Sequence, residues 1–227
     1  MIEVELKFQV PSEARAQLQT KLETLPSSKQ LEQILNVDTY YDTANFDCLR
    51  QAVFIRTRNQ KCLEVKYHEQ VDPTHTHCTE QVFSLSSDPL QVKAVNNLCA
   101  QFFSEWQEAE TIEEAFHANG LQEMVQLKNE RHQYLYEQLT LCLDHVEELG
   151  DFFEIETSCQ RESEIRKALA SLEEFVAHLT LPALRQVKIG YVELWLRSHL
   201  PHVYQMGLYQ AKDDVECAAY DESLQLI

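Results

Sequence analysis

The chain has 227 residues, 44% of them hydrophobic, with four glycines and six prolines; this suits one compact domain and leaves little for long flexible linkers. Its formal net charge is −18, from 19 Lys and Arg against 37 Asp and Glu, the reverse of the basic footprint that nucleic-acid binding requires. No apolar run is long enough to span a membrane, no basic-then-apolar signal segment opens the chain, and the seven cysteines include no Cys-x-x-Cys pair, so a reduced, cytoplasmic protein is expected.

Residues 1–7 read as a β-strand with Glu3, Glu5 and Lys7 on one face and Ile2, Val4 and Leu6 on the other. Val10-Pro11-Ser12-Glu13 starts a helix, with Ser12 as N-cap, that runs to about residue 25. Strands are predicted over 31–41, 52–58, 62–68 and 79–85. Asp88-Pro89-Leu90 opens a helix to about residue 103, and a shorter helix covers 111–118. Segments 124–129, 131–138 and 140–147 read as strands with a break near Asn129-Glu130, and Gly150-Asp151 as a turn before a strand over 152–158. A helix spans 163–179, and a last long one starts at Pro182 and continues through Arg197. This order argues for an α+β fold with an antiparallel sheet, as a single domain over 1–210 followed by an acidic tail over 211–227.

Alternation sorts the charges. Arg56 and Arg58 share a strand face opposite Ile55 and Thr57, Glu64 and Lys66 one opposite Leu63 and Val65, and Glu154 and Glu156 one opposite Phe153 and Ile155. Asp144 lies opposite Leu141 and Leu143. A wet outer face is the simplest account of such strands. The tight i, i+2 pairing of Arg, Lys and acid, with helices available to cover the apolar faces, favours instead a closed or nearly closed barrel with charges inside. A lumen of this composition suits a metal–polyphosphate complex: arginines fork phosphate oxygens, and carboxylates take Mg²⁺ or Mn²⁺.

These motifs resemble those of the CYTH superfamily, the triphosphate tunnel metalloenzymes. Glu3-Val4-Glu5-Leu6-Lys7 is similar to its Glu-x-Glu-x-Lys signature, and Asp38-Thr39-Tyr40-Tyr41-Asp42-Thr43 to its second-strand motif. Arg56-Thr57-Arg58, Leu63-Glu64-Val65-Lys66, the acidic hairpin from Leu143 to Glu156 and Lys188-Ile189-Gly190-Tyr191 follow in the family's order. The resemblance implies an eight-stranded antiparallel β-barrel with helices packed outside and a lumen that binds a small triphosphate. It implies phosphate contacts from Lys7, Arg56, Arg58, Lys66, Arg131 and Lys188, the last on a helix that plugs one side of the tunnel. It implies Mg²⁺ or Mn²⁺ held by Glu3, Glu5, Asp144, Glu154 and Glu156, catalytic roles for Tyr40 and Lys66, and a monomer or homodimer. One stretch departs from the pattern: where the family often carries Lys-x-Arg or Lys-Arg, this chain has Lys128-Asn129-Glu130-Arg131. Lys128 and Arg131 cannot share a regular strand face, so either a bulge re-aims one of them or a phosphate contact is missing.

The remaining candidates read as ordinary structure. His75-Thr76-His77-Cys78 is expected in a loop or tunnel rim, Cys142 and Cys159 as small fillers, Trp195 and Tyr191 as packing, and Glu147 and Glu148 as solvated charge. Glu80 is left open between lumen and surface. Three functions stand at this point. The first is a metal-dependent hydrolase of inorganic triphosphate, thiamine triphosphate or a nucleoside triphosphate, favoured by the Asp38–Thr43 motif. The second is a class IV adenylyl cyclase, and the third a non-catalytic polyphosphate sensor.

Overall fold

Alternating side chains let each strand bury one face outward under helices and keep the other inward. The computed structural model describes residues 1–68, 76–179 and 184–208. Its strands are β1 (Ile2–Val10), β2 (Ser28–Asp42), β3 (Phe54–Arg58), β4 (Cys62–Tyr67), β5 (His77–Ser84), β6 (Gln122–Tyr136), β7 (Leu139–Val146), β8 (Gly150–Cys159) and β9 (Arg185–Val187). Its helices are α1 (Ser12–Thr24), α2 (Asp47–Arg50), α3 (Pro89–Cys99), α4 (Ile112–Ala118), α5 (Glu162–His178), α6 (Tyr191–His199) and α7 (Pro201–Tyr204). The tail over 211–227, His75 and the start at Pro182 lie outside the described residues.

The sheet runs β5-β4-β3-β2-β6-β7-β8-β1 and closes on itself through an antiparallel β1–β5 pairing of Ile2, Glu3 and Val4 with Thr79, Cys78 and His77. The result is the closed eight-stranded antiparallel barrel of an α+β fold. Pairing with β5 uses only the first part of that edge of β1. The strand β9 takes the rest, setting Lys7 against Val187.

Two apolar clusters lie outside the barrel. Val4, Leu6 and Phe8 of β1 pack with Leu18 and Leu22 of α1 and with Leu172 and Phe175 of α5. Ile55, Leu63 and Val65 pack with Val92 and Val95 of α3 and Phe116 of α4. A third cluster is internal. Val125 and Leu127 share Arg131's side of β6, and Phe152 shares Glu154's side of β8; there they meet Val192, Leu194 and Leu196 of α6 and Val203 of α7. The barrel is therefore stopped on this side by apolar helix surface. Among the described residues no helix is long and apolar enough to cross a membrane.

Several local expectations are corrected. Ser12 is the first residue of α1 rather than its cap: the cap position falls on Pro11, whose φ of −58° turns the chain one residue earlier, and no side chain caps the helix. Asn129-Glu130 is no break, because β6 continues through it, paired to β2 and β7 on both edges. Gly150 opens β8 instead of forming the turn, and its φ of +98° is the conformation glycine supplies there. The helix expected through 182–197 is replaced by β9 and, only from Tyr191, by α6; the vacant edge of β1 outcompetes helix formation at Arg185–Val187.

Candidate active site

The inward faces enclose a cavity of about 300 Å³ lined by residues of β1, β2, β3, β4, β5, β6 and β8 and by the link from β9 into α6. Glu3, Glu5 and Glu156 form an acidic corner, each offering one carboxylate oxygen, all within 4.8 Å of one another. Backbone register makes the corner: Glu5 is directly opposite Glu156 on β8. Burial, then the charge of Glu154, pushes the Glu5 carboxyl above its ordinary range. Burial, then Glu3, with Glu154 and Glu5 adding, pushes Glu156 up to about 8. Three crowded carboxylates and no softer donor form a hard-oxygen set suited to Mg²⁺ or Mn²⁺, and the crowding is what a divalent cation would relieve.

Beside it stands a second group. Lys7 Nζ lies 2.9 Å from Glu5 Oε1, 3.2 Å from Glu154 Oε1 and 4.7 Å from the centroid of the Tyr191 ring. Arg131 donates from Nε to Asp144 Oδ1 at 2.8 Å and from Nη2 to Asp144 Oδ2 at 2.6 Å, and it also touches Glu154. The Tyr191 hydroxyl donates to Asp144 Oδ2 at 2.7 Å. Against burial, Lys7 and then Arg131 hold Glu154 well below the usual carboxylate range. Glu154 thus serves as a counter-ion to cations, while Asp144, fully buried, has both oxygens committed to Arg131 and Tyr191. The structure does not bring Asp144 into the acidic corner.

Across the lumen, Arg56 and Arg58 of β3 share Asp38 and Glu64, and Arg56 Nη1 donates to the Tyr40 hydroxyl at 3.0 Å. Lys66 Nζ lies 2.8 Å from Glu3 Oε1 and 3.5 Å from Glu80 Oε1, so Glu80 faces inward. Although burial opposes it, Glu3 and Glu80 keep Lys66 protonated far above neutrality. Lys188 lines the cavity, but from the link between β9 and α6 and not from a helix.

Lys128 does not reach the lumen. No bulge intervenes between it and Arg131; it points outward, half-exposed, 3.2 Å from Glu147. Asn129 takes the inward position beside Arg131 and is buried. His77 and Cys78 line the cavity from β5, and burial pushes the Cys78 thiol up to about 12, which leaves it inert. Tyr191, read from sequence as packing, belongs to the site: it opens α6, where Glu193 Oε2 accepts from the Gly190 amide at 2.9 Å and fixes the helix start. Trp195 stays outside and donates to Glu148.

The profile of the CYTH domain matches residues 1–191, and the chain belongs to that family. Among solved structures, the PH1819 protein of Pyrococcus horikoshii OT3 is 22% identical, with a TM-score of 0.61 over 87% of this chain and 99% of that one. HpAC1 of Hippeastrum, a candidate adenylyl cyclase described with a dominant triphosphatase activity, is 19% identical, with a TM-score of 0.56 over 88% and 96%. A candidate adenylate cyclase of Vibrio parahaemolyticus is 16% identical, with a TM-score of 0.55 over 86% and 98%. No curated protein sequence matches this chain.

Proposed function

We propose that this chain is a metal-dependent triphosphatase that hydrolyses a phosphoanhydride of a small triphosphate, inorganic or thiamine triphosphate. The observation that carries this reading is the acidic corner of Glu3, Glu5 and Glu156 facing Lys7, Arg56, Arg58, Lys66 and Arg131 across one cavity. Mg²⁺ or Mn²⁺, when held by Glu3, Glu5 and Glu156, supplies charge neutralisation and an acidified water. The chain's own cations do the rest. Lys7, Lys66, Lys188 and the arginines bind and align the phosphates and stabilise charge that builds on the leaving group. Asp144 and Tyr191 fix the guanidinium of Arg131, and Tyr40 braces Arg56 beside Lys66. The fold is compatible with this chemistry, since HpAC1, built on it, has a dominant triphosphatase activity.

Cyclisation of ATP is the competing use of the same lumen. The test is turnover of inorganic triphosphate, thiamine triphosphate and ATP with Mg²⁺ or Mn²⁺ or with EDTA, reading phosphate and cyclic AMP. Metal-dependent orthophosphate release without cyclic AMP is the expected result. Cyclic AMP with pyrophosphate assigns the chain to the cyclases, and no turnover leaves a sensor.

A further inference from the structure

The arginine pair of β3 is already occupied. Arg56 donates from Nε to Glu64 Oε2 at 2.8 Å and from Nη1 to Asp38 Oδ2 at 3.1 Å, with Nη2 2.6 Å from Glu64 Oε2. Arg58 donates to Asp38 from Nε at 2.8 Å and from Nη2 at 2.9 Å, and its Nη1 lies 3.4 Å from Glu64 Oε1. Each guanidinium nitrogen of both residues therefore has a carboxylate oxygen within reach, in the forked geometry that a phosphate would use. Asp38 and Glu64 are 5% and 6% exposed, so water screens these contacts little. Against burial, Arg56 holds both carboxyls below their ordinary ranges, which keeps them ionised. Two positive charges thus face two negative ones, and the pair presents no net charge to the lumen.

We propose that Glu64 is an internal counter-anion that competes with phosphate for Arg56 and Arg58, so that the lumen retains a triphosphate and releases shorter phosphates. The proposal rests on the triphosphatase reading. A triphosphate is long enough to meet Lys7, Lys66 and Arg131 as well, cations that are themselves carboxylate-paired, and from all of them together gains enough to displace Glu64 from the arginines. A pyrophosphate or orthophosphate, with fewer charges and fewer cations in reach, does not. After cleavage Glu64 recaptures both guanidiniums, and product leaves. Glu64 acts through the arginines and is a positioning residue that sets specificity.

The test is calorimetric binding of pyrophosphate with Mg²⁺, and steady-state kinetics on inorganic triphosphate, for the wild type and Glu64→Gln. Lifting one charge from the pair should tighten pyrophosphate binding at least about tenfold. It should also lower KM for triphosphate and lower kcat, because product release slows. If Glu64 only holds the arginines in place, the variant binds pyrophosphate more weakly and KM rises, which overturns the proposal while triphosphatase activity of the wild type stands. A wild type that neither binds nor turns over polyphosphate removes the underlying reading, and the proposal with it. Should Glu64→Gln fail to fold, Asp38→Asn lifts charge from the same arginines and must shift binding in the same direction.

Discussion

Glu156 makes the metal-free protein less stable than its packing allows, by an amount that can be worked out. Its carboxyl is pushed up to about 8 from an ordinary value of 4.5, by burial and then by neighbouring carboxylates. A folded pKa above the unfolded one means that folding takes up a proton. This one group's penalty is absent below pH 4.5, grows as pH rises from there, and levels off above 8. At about 1.4 kcal/mol per pH unit, the loss at pH 7 is about 3 kcal/mol. Glu156→Gln removes the titrating group, so in EDTA the variant should be more stable than the wild type by up to that amount at pH 7. For a chain of this length that is a Tm higher by about 6–12 °C. Urea unfolding at pH 5, 6, 7 and 8 should show the gap widening with pH. Added Mg²⁺ should close or reverse it, since only the wild type retains all three carboxylates and gains binding energy. A gap independent of pH, or a wild type more stable than the variant at pH 7 in EDTA, refutes the reasoning.

The double variant Glu3→Gln/Glu5→Gln should lose turnover while remaining about as stable as the wild type, because relief of the carboxylate crowding offsets the two ion pairs lost and Lys7 keeps Glu154 while Lys66 keeps Glu80; unfolding of this variant in a circular dichroism melt would make those carboxylates structural. Tyr191→Phe deletes the buried donor to Asp144 Oδ2 and should cost about 1–3 kcal/mol in denaturant titration; an unchanged midpoint would show the bond to be idle. Lys128→Ala should leave kcat/KM for triphosphate within about twofold, since its ammonium is solvated and pairs with Glu147 on the outer surface; a large loss would place it in the lumen after all.

Period-two alternation made the barrel and much of its lining legible. Glu3, Glu5 and Lys7, Arg56 and Arg58, Glu64 and Lys66, and Glu154 and Glu156 all face inward because their strand neighbours are wanted by the helices outside. What alternation cannot encode is which charge meets which. Asp144 looks like any inward acid in sequence, yet Arg131, opposite it on β6, takes both its oxygens. Tyr191 sits in an apolar helix pattern, and only α6 entering the barrel end turns its hydroxyl onto Asp144. Lys128 and Asn129 differ by one position, and strand parity alone decides that the amide faces the lumen. A break expected at Asn129-Glu130 concealed this, because the parity of Arg131 carries through only if β6 is continuous. At Arg185–Val187 local sequence suits a helix, and the pairing that overrides it is made with residues far away in the chain.

The join between β1 and β5 gives the site an unequal dependence on folding. Three residue pairs close the barrel there, extended by the Glu80 amide donating to the Met1 carbonyl at 3.1 Å and the Glu5 amide to the Thr76 carbonyl at 3.0 Å. Glu5, Lys7, Glu154 and Glu156 all lie on the β1–β8 side of this seam, whereas Lys66 and Glu80 approach Glu3 from the other. A molecule unzipped at the seam would keep most of its cation corner and lose the lysine that faces it. On the proposed function, metal capture and phosphate capture would then be separable by strain at the first four residues. A bulky extension on Met1, a fusion tag included, presses on the one place where the barrel is stitched shut.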